Sequence, residues 1–400
     1  MNVDVVFAGH VDHGKSTLIG RLLYDSESIT DGRMAEVQKL AEEFKKRFEF
    51  AYFLDAFEDE MREERTIDTT VAMFKGKNHY VVTDVPGHKE FIKNMLTGAS
   101  HADVAVLVVS AFDGIQEQTR RHLFLLEMIG IREVFVVVNK MDAVDYRRES
   151  FEYVKKEVGK LLNSFGYADA RVIPISAMES DNVFKRSGRM RWYSGPTLIE
   201  ALDDVKLSRE DKATRFVVQD VYTVGSEKVV VGRVESGVLR KGEKMFFEPS
   251  GVEGEVKKIM VLKGELEEAR KGDSVGIVVD CEVKRGDVCG PLNNPPIAVR
   301  EFLGEAVLLE KKLVKGEVLE LRCGTARVWC KVKEIREKIN SETGEVMEEC
   351  PEEISENEAA NVIFKTDPLV VEKFSEVPEL GRFVLYKDKN IGAGVVLGVP

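Results

Sequence analysis

Short apolar runs alternate with segments of mixed polarity through the first half of the chain. Val3-Asp4-Val5-Val6-Phe7-Ala8, Tyr80-Val81-Val82, Val134-Phe135-Val136-Val137-Val138 and Val172-Ile173-Pro174 read as buried strands. Between them, residues 16–23, the stretch from Gln118 onward and residues 150–165 read as helices. Strand followed by helix, repeated, predicts an α/β domain with a mostly parallel sheet and helices on both faces. The alternation ends at a last helix, Leu198-Ile199-Glu200-Ala201-Leu202, and the charged stretch 206–212 reads as a linker. Beyond it come short strands of period two, punctuated by Gly232, Gly237, Gly242, Gly254 and Gly272, which is the pattern of β-barrels. Asn293-Asn294-Pro295-Pro296 breaks that pattern once. The expected layout is an α/β domain over 1–205, a β-barrel over 212–293 and a second over 298–400.

The first strand runs into Gly9-His10-Val11-Asp12-His13-Gly14-Lys15-Ser16, which fills every fixed place of the phosphate-loop pattern G-x-x-x-x-G-K-[ST]. Backbone amides of that loop and the positive end of the following helix can surround a β-phosphate. Lys15 can reach the β and γ oxygens, and the Ser16 hydroxyl can ligate Mg²⁺. After the second apolar run comes Asp84-Val85-Pro86-Gly87-His88. An aspartate there suits Mg²⁺, held through water, and Gly87, with no side chain, lets its amide approach a γ-phosphate.

The third run leads into Asn139-Lys140-Met141-Asp142. Asp142 can accept from the N1–H and 2-amino group of guanine, donors that adenine lacks, so the expected ligand is GTP rather than ATP. Lys140 can lie along the base plane, and Asn139 can tie this loop to the phosphate loop. Ile175-Ser176-Ala177 after the fourth run would complete the pocket with a backbone N–H on the guanine carbonyl.

Four hundred residues suffice for two or three cores. The net charge of −12 gives no global attraction to nucleic acid or to an anionic membrane, though local basic patches are compatible with it; neither DNA nor a membrane is an expected partner, and no apolar stretch is long enough to span a bilayer. A cytoplasmic protein is expected, with Cys281, Cys289, Cys323, Cys330 and Cys350 reduced and without a metal.

The phosphate loop, D-x-P-G-H, N-K-x-D and S-A, in this order and approximate spacing, resemble the translation-factor GTPases, and the resemblance covers essentially the whole chain. It implies a P-loop GTPase domain followed by two β-barrel domains, with GTP and Mg²⁺ as ligands. Carried over residue by residue, it places Thr17 with the phosphate loop, Met178 with Ser176 and Ala177 in the base pocket, and Ser16, Thr66 and Asp84 at Mg²⁺. His88 would orient the attacking water and is the candidate catalytic residue. Thr66 would order with its segment in the GTP state and relax after hydrolysis. The chain departs from the family at Glu63-Glu64-Arg65-Thr66, where relatives carry an isoleucine in place of Arg65. Arg65 either brings positive charge toward the phosphates or points to solvent.

Two branches of the family compete. His10-Val11-Asp12-His13 is similar to elongation factor 1-alpha and its bacterial counterpart Tu, as are residues 231–237 and 380–383. Residues 16–23, 118–122, 139–146, 176–183, 192–198 and 392–394 are similar to the GTPase subunit of sulfate adenylyltransferase. The longer stretches favour the second branch. Its implied partner is a catalytic subunit that transfers adenylyl from ATP to sulfate. The alternative is a factor that delivers aminoacyl-tRNA, or a release or rescue factor, to the ribosome. The glutamates at 345, 348, 349, 352, 353, 356 and 358, with no basic residue among them, argue against a tRNA surface there.

Overall fold

The computed structural model describes residues 2–28, 70–84, 102–206, 213–225, 227–261 and 264–399. They fall into two compact units, one carrying the first 207 residues and the other most of the remainder.

The first unit is built on a six-stranded sheet. Its strands are β1 (Asn2–Gly9), β2 (Thr70–Lys75), β3 (His79–Asp84), β4 (Val104–Ser110), β5 (Glu133–Asn139) and β6 (Arg171–Pro174), in the order β2-β3-β1-β4-β5-β6. Only β2 runs antiparallel to its neighbour. Every residue of β4 is buried, as a strand covered on both faces must be. Among the described residues, four α-helices flank it: α1 (Lys15–Asp25), α2 (Glu117–Met128), α3 (Arg148–Ser164) and α4 (Leu198–Asp203). Val3, Val5 and Phe7 of β1 join one cluster with Leu18 and Leu22 of α1 and Leu198 and Leu202 of α4. Val6 and Ala8 project from the opposite face, which is equally buried. α2 packs there against β1 and β4, and α3 against β5. Thr197 starts α4 through a capping box: its hydroxyl accepts from Glu200 N–H (3.3 Å), and Glu200 Oε2 accepts from Thr197 N–H (2.9 Å).

The second unit holds two closed antiparallel sheets. In the first, strand Arg215–Val224 pairs Glu227–Ser236, and Lys244–Glu248 pairs Val252–Val261 to close the ring. In the second, Val318–Cys323 pairs Ala326–Ile339 to close a ring that includes Ala298–Leu308 and Ala359–Val370. Phe302, Phe364 and Phe383 fill its centre, with ring centroids 5.2 to 5.4 Å apart. Of the linker read over 206–212, residues 207–212 lie outside the described residues.

Between the barrels, Val217 and Val288 pack against Val370, Val377 and Leu380. Beside this apolar seam the buried Arg215 pairs with Glu372 and donates to the carbonyl of Asn294 at 2.9 Å. The acidic run over 345–358 is less repulsive than its sequence suggests. Glu352, Glu353 and Glu358 pair with Lys315, Lys312 and Lys338 at 2.9, 3.0 and 2.6 Å. The glutamates are thus partly neutralised by lysines distant in the chain, which weakens the argument drawn from their sequence alone.

Removing one partner of a buried ion pair leaves the other charged and desolvated. Glu372→Ala is therefore expected to cost about 3–5 kcal/mol in denaturant unfolding of the second unit, far more than loss of an exposed glutamate.

Candidate functional site

Parallel pairing sets the carboxyl ends of β1, β3, β5 and β6 along one edge of the sheet, where open α/β sheets take their ligands. Gly9, Asp84, Asn139 and Pro174 are the last residues of those strands. Phe7 lies opposite Asp84 in register, and Ser110 opposite Asn139. Four motifs far apart in the sequence therefore open on the same edge. Of the other predicted residues, Thr66, Gly87 and His88 lie outside the described residues, as does Arg65.

The loop after β1 is shaped by backbone torsions that favour glycine. Gly9, Asp12 and Gly14 have φ of 147°, 64° and 87°. A Cβ on Gly9 would sit 2.3 Å from the carbonyl oxygen of Val108, and one on Gly14 would sit 2.5 Å from Asn139 Nδ2. Gly14 is the N-cap of α1, and with no side chain it leaves the first-turn amides to other acceptors. Lys15 Nζ donates to the carbonyls of Gly9 (2.8 Å) and His10 (3.3 Å), so its ammonium is held over the loop. Ser16 and Thr17 are half-buried in the first turn, and Val11 is exposed. A tight loop with an uncapped helix end and a lysine beside it fits an anionic phosphate group. The Ser16 hydroxyl stands at the start of α1, and the backbone of Asp84 ends the neighbouring β3.

Asn139 connects the pieces. It is 2% exposed; its Nδ2 donates to His13 O at 2.9 Å and its Oδ1 accepts from Ala177 N–H at 3.0 Å. Met141 N–H donates to Ile175 O at 3.2 Å. Ser176 Oγ donates to Asp142 Oδ1 at 2.6 Å, which orients the carboxylate while the residue stays exposed. Met141 is fully buried beneath it, and Lys140 is half-buried with φ of 62°. Met178 is 39% exposed just beyond Ala177. The structure thus brings together the phosphate-loop, N-K-x-D and S-A residues that the sequence singles out.

Comparison with known proteins matches the whole length. Residues 1–208 match the elongation factor Tu GTP binding domain, 227–290 elongation factor Tu domain 2, and 304–397 the GTP-eEF1A C-terminal domain-like family. The chain belongs to the elongation factor Tu/1-alpha family of GTPases. Elongation factor 1-alpha of Archaeoglobus fulgidus is 43% identical over 99% of this chain and 97% of its own length. Those of Pyrococcus furiosus and Methanothrix thermoacetophila are 43% and 42% identical over 100% of this chain and 98% and 97% of theirs. A solved structure of sup35 complexed with GDP covers 100% of this chain at 24% identity and a TM-score of 0.47, too loose a superposition to distinguish branches of the family. The chain is thus a GTP-binding GTPase similar to elongation factor 1-alpha, and the expectation that it stands nearer the sulfate-activating subunit gains no support. The local similarities behind that expectation are short, whereas the match to elongation factor 1-alpha runs from end to end.

Two supports of the phosphate loop in this GTPase were not singled out from its sequence. His122 Nδ1, on α2, accepts from Gly9 N–H at 3.0 Å, so that nitrogen carries no proton. Gln118 Oε1 accepts from Val11 N–H at 3.3 Å. The available signal was a histidine among the buried positions Thr119, Leu123 and Leu126 of one helix face. His13 is 1% exposed, and its Nδ1 lies 3.2 Å from Val108 O and 3.3 Å from Ser110 N, serving one or the other according to tautomer.

Burial, opposed by the backbone contact to Val108, lowers the His13 pKa from 6.5 to about 4. The unfolded chain therefore takes up a proton there below pH 6.5 that the folded chain refuses until about pH 4. The stability His13 contributes is present above that window and is lost as pH falls through it, by roughly 3 kcal/mol in all. Unfolding of the nucleotide-free protein between pH 7 and pH 4 is expected to show that slope, and His13→Gln to flatten it. Gly14→Ala combines a left-handed alanine, costing about 1–2 kcal/mol, with a clash against Asn139. It is expected to weaken fluorescent-GDP binding by roughly tenfold or more.

Proposed function

We propose that this GTPase is a translation factor that carries aminoacyl-tRNA to the ribosome in its GTP state and releases it after hydrolysis. The full-length similarity to elongation factor 1-alpha carries the reading. Working parts are assigned residue by residue over three domains, 1–205, 212–293 and 298–400. The loop from Gly9 to Thr17 holds the phosphates, with Lys15 supplying charge at the β and γ oxygens. Asp142 accepts from the guanine donors, Lys140 covers the base, and a backbone N–H of the loop that carries Ser176, Ala177 and Met178 faces its carbonyl. Ser16, Thr66 and Asp84 would hold Mg²⁺, which neutralises phosphate charge when bound. His88 orients the attacking water, and the Gly87 amide registers the γ-phosphate. The working place is the cytoplasm, where ribosomes and tRNA are found; among the described residues, no helix is long and apolar enough to cross a membrane.

Electrostatics of the second unit support an RNA partner despite the acidic chain. A cleft of about 310 Å³ between the two barrels is lined by Lys284, Arg285 and Arg327, with Thr325 and Gly286, and no carboxylate contributes to its described lining. Such local cations attract phosphates whatever the net charge.

Protection of the aminoacyl ester from hydrolysis tests the reading. Protein loaded with a non-hydrolysable GTP analogue is expected to slow deacylation of aminoacyl-tRNA, and GDP-loaded protein is not; equal deacylation in both states would sink it. Lys284→Ala with Arg327→Ala is expected to weaken tRNA binding and to lower the slope of log affinity against log salt by about 2.

A further inference from the structure

The loop that carries Asp142 continues into two strained residues. Asp145 and Tyr146 are both left-handed, with φ of 52° and 56°, although neither is glycine. Such torsions persist only where the surroundings hold them. Tyr146 N–H donates to Met141 O at 2.8 Å, and Tyr146 O accepts from Trp192 Nε1 at 3.0 Å. The Tyr146 hydroxyl accepts from Arg189 Nη1, and the guanidinium also lies 5.2 Å from the centre of the tyrosine ring.

The other side of the same guanidinium holds the Ser176 loop. Glu179 Oε2 accepts from Nη1 and Nη2, each at 3.2 Å, and Asp181 Oδ2 accepts from Nη1 at 3.4 Å. Asp181 is tied to Ser176 by a reciprocal pair of backbone bonds, both 3.1 Å, and Ser176 Oγ holds the Asp142 carboxylate. Arg189 therefore closes a ring: Asp142, Ser176, Asp181, Arg189, Tyr146, Met141 and back to Asp142. A single exposed ion pair would matter little, but a planar fork that engages a ring face, a hydroxyl and two carboxylates at once constrains geometry as well as charge.

We propose that Arg189 is a positioning residue for guanine recognition, clamping the loop of Asp142 to the loop of Ser176 so that the carboxylate meets both guanine donors together. The inference rests on the GTP-binding reading of this site. Inosine diphosphate, which lacks the 2-amino group, separates positioning from general looseness. Wild-type full-length protein is expected to prefer GDP to IDP; absence of that preference would overturn the base-pocket reading itself. Arg189→Ala is expected to release fluorescent GDP about fivefold faster and to lower the GDP:IDP affinity ratio by a similar factor. Tyr146→Phe, which keeps the ring and removes only the hydroxyl, is expected to move both quantities in the same direction by less. Loss of GDP and IDP affinity in equal proportion would overturn the proposal, because it reports loosening without positioning. Wild-type values in both variants would overturn it as well.

Discussion

One buried amide side chain holds the nucleotide edge of the sheet together. Asn139 has a donor and an acceptor at fixed separation, and both are used: one on the His13 carbonyl of the phosphate loop, the other on the Ala177 amide of the base loop. In a buried setting an unpaired amide is costly, so the two loops can move apart only by leaving polar groups unsatisfied. The space that a Cβ on Gly14 would take is occupied by this same amide. Glycine at position 14 and asparagine at 139 are thus one constraint seen from its two ends.

Around that tie, charge is managed by burial as much as by pairing. His13 is a buried member of the phosphate loop with its pKa lowered to about 4, so near neutral pH the ring adds no positive charge. His122 accepts a backbone N–H and is therefore unprotonated at that nitrogen. Lys15 is left to supply the loop's positive charge, which concentrates it beside the helix N-terminus. The second unit repeats the principle in reverse: many of its surface glutamates carry lysine partners, while the cleft between its barrels gathers cations without a carboxylate in its described lining.

Much of this was legible in the sequence because it is local. A phosphate loop needs consecutive residues in a set order, and β1, β3, β5, β6 and the four helices announce themselves by unbroken apolar runs and helical spacing. Neither β2 nor β4 was singled out: β2, short and of mixed polarity beside a turn, carries a weak signal, whereas the unbroken apolar run of β4 was legible and was passed over. Choosing the family branch from scattered short similarities failed for a related reason: a few residues shared at one place carry less information than a match running through all three parts of the chain.

The chemical motifs, followed by the change from strand–helix alternation to short period-two strands, determined by themselves that a GTPase domain precedes two barrels, since each of these signals is local in the chain. Only the tertiary structure decided which residues support those motifs. His122 reaches Gly9 across 113 positions, Arg215 finds Glu372 across 157, and Arg189 meets Tyr146 across 43. Contacts of that kind depend on how strands and loops stack in three dimensions, and no periodicity along the chain records them. Lys284, Arg285 and Arg327 likewise become one basic cleft only when two barrels close side by side, because the polarity of a surface is a property of neighbours in space.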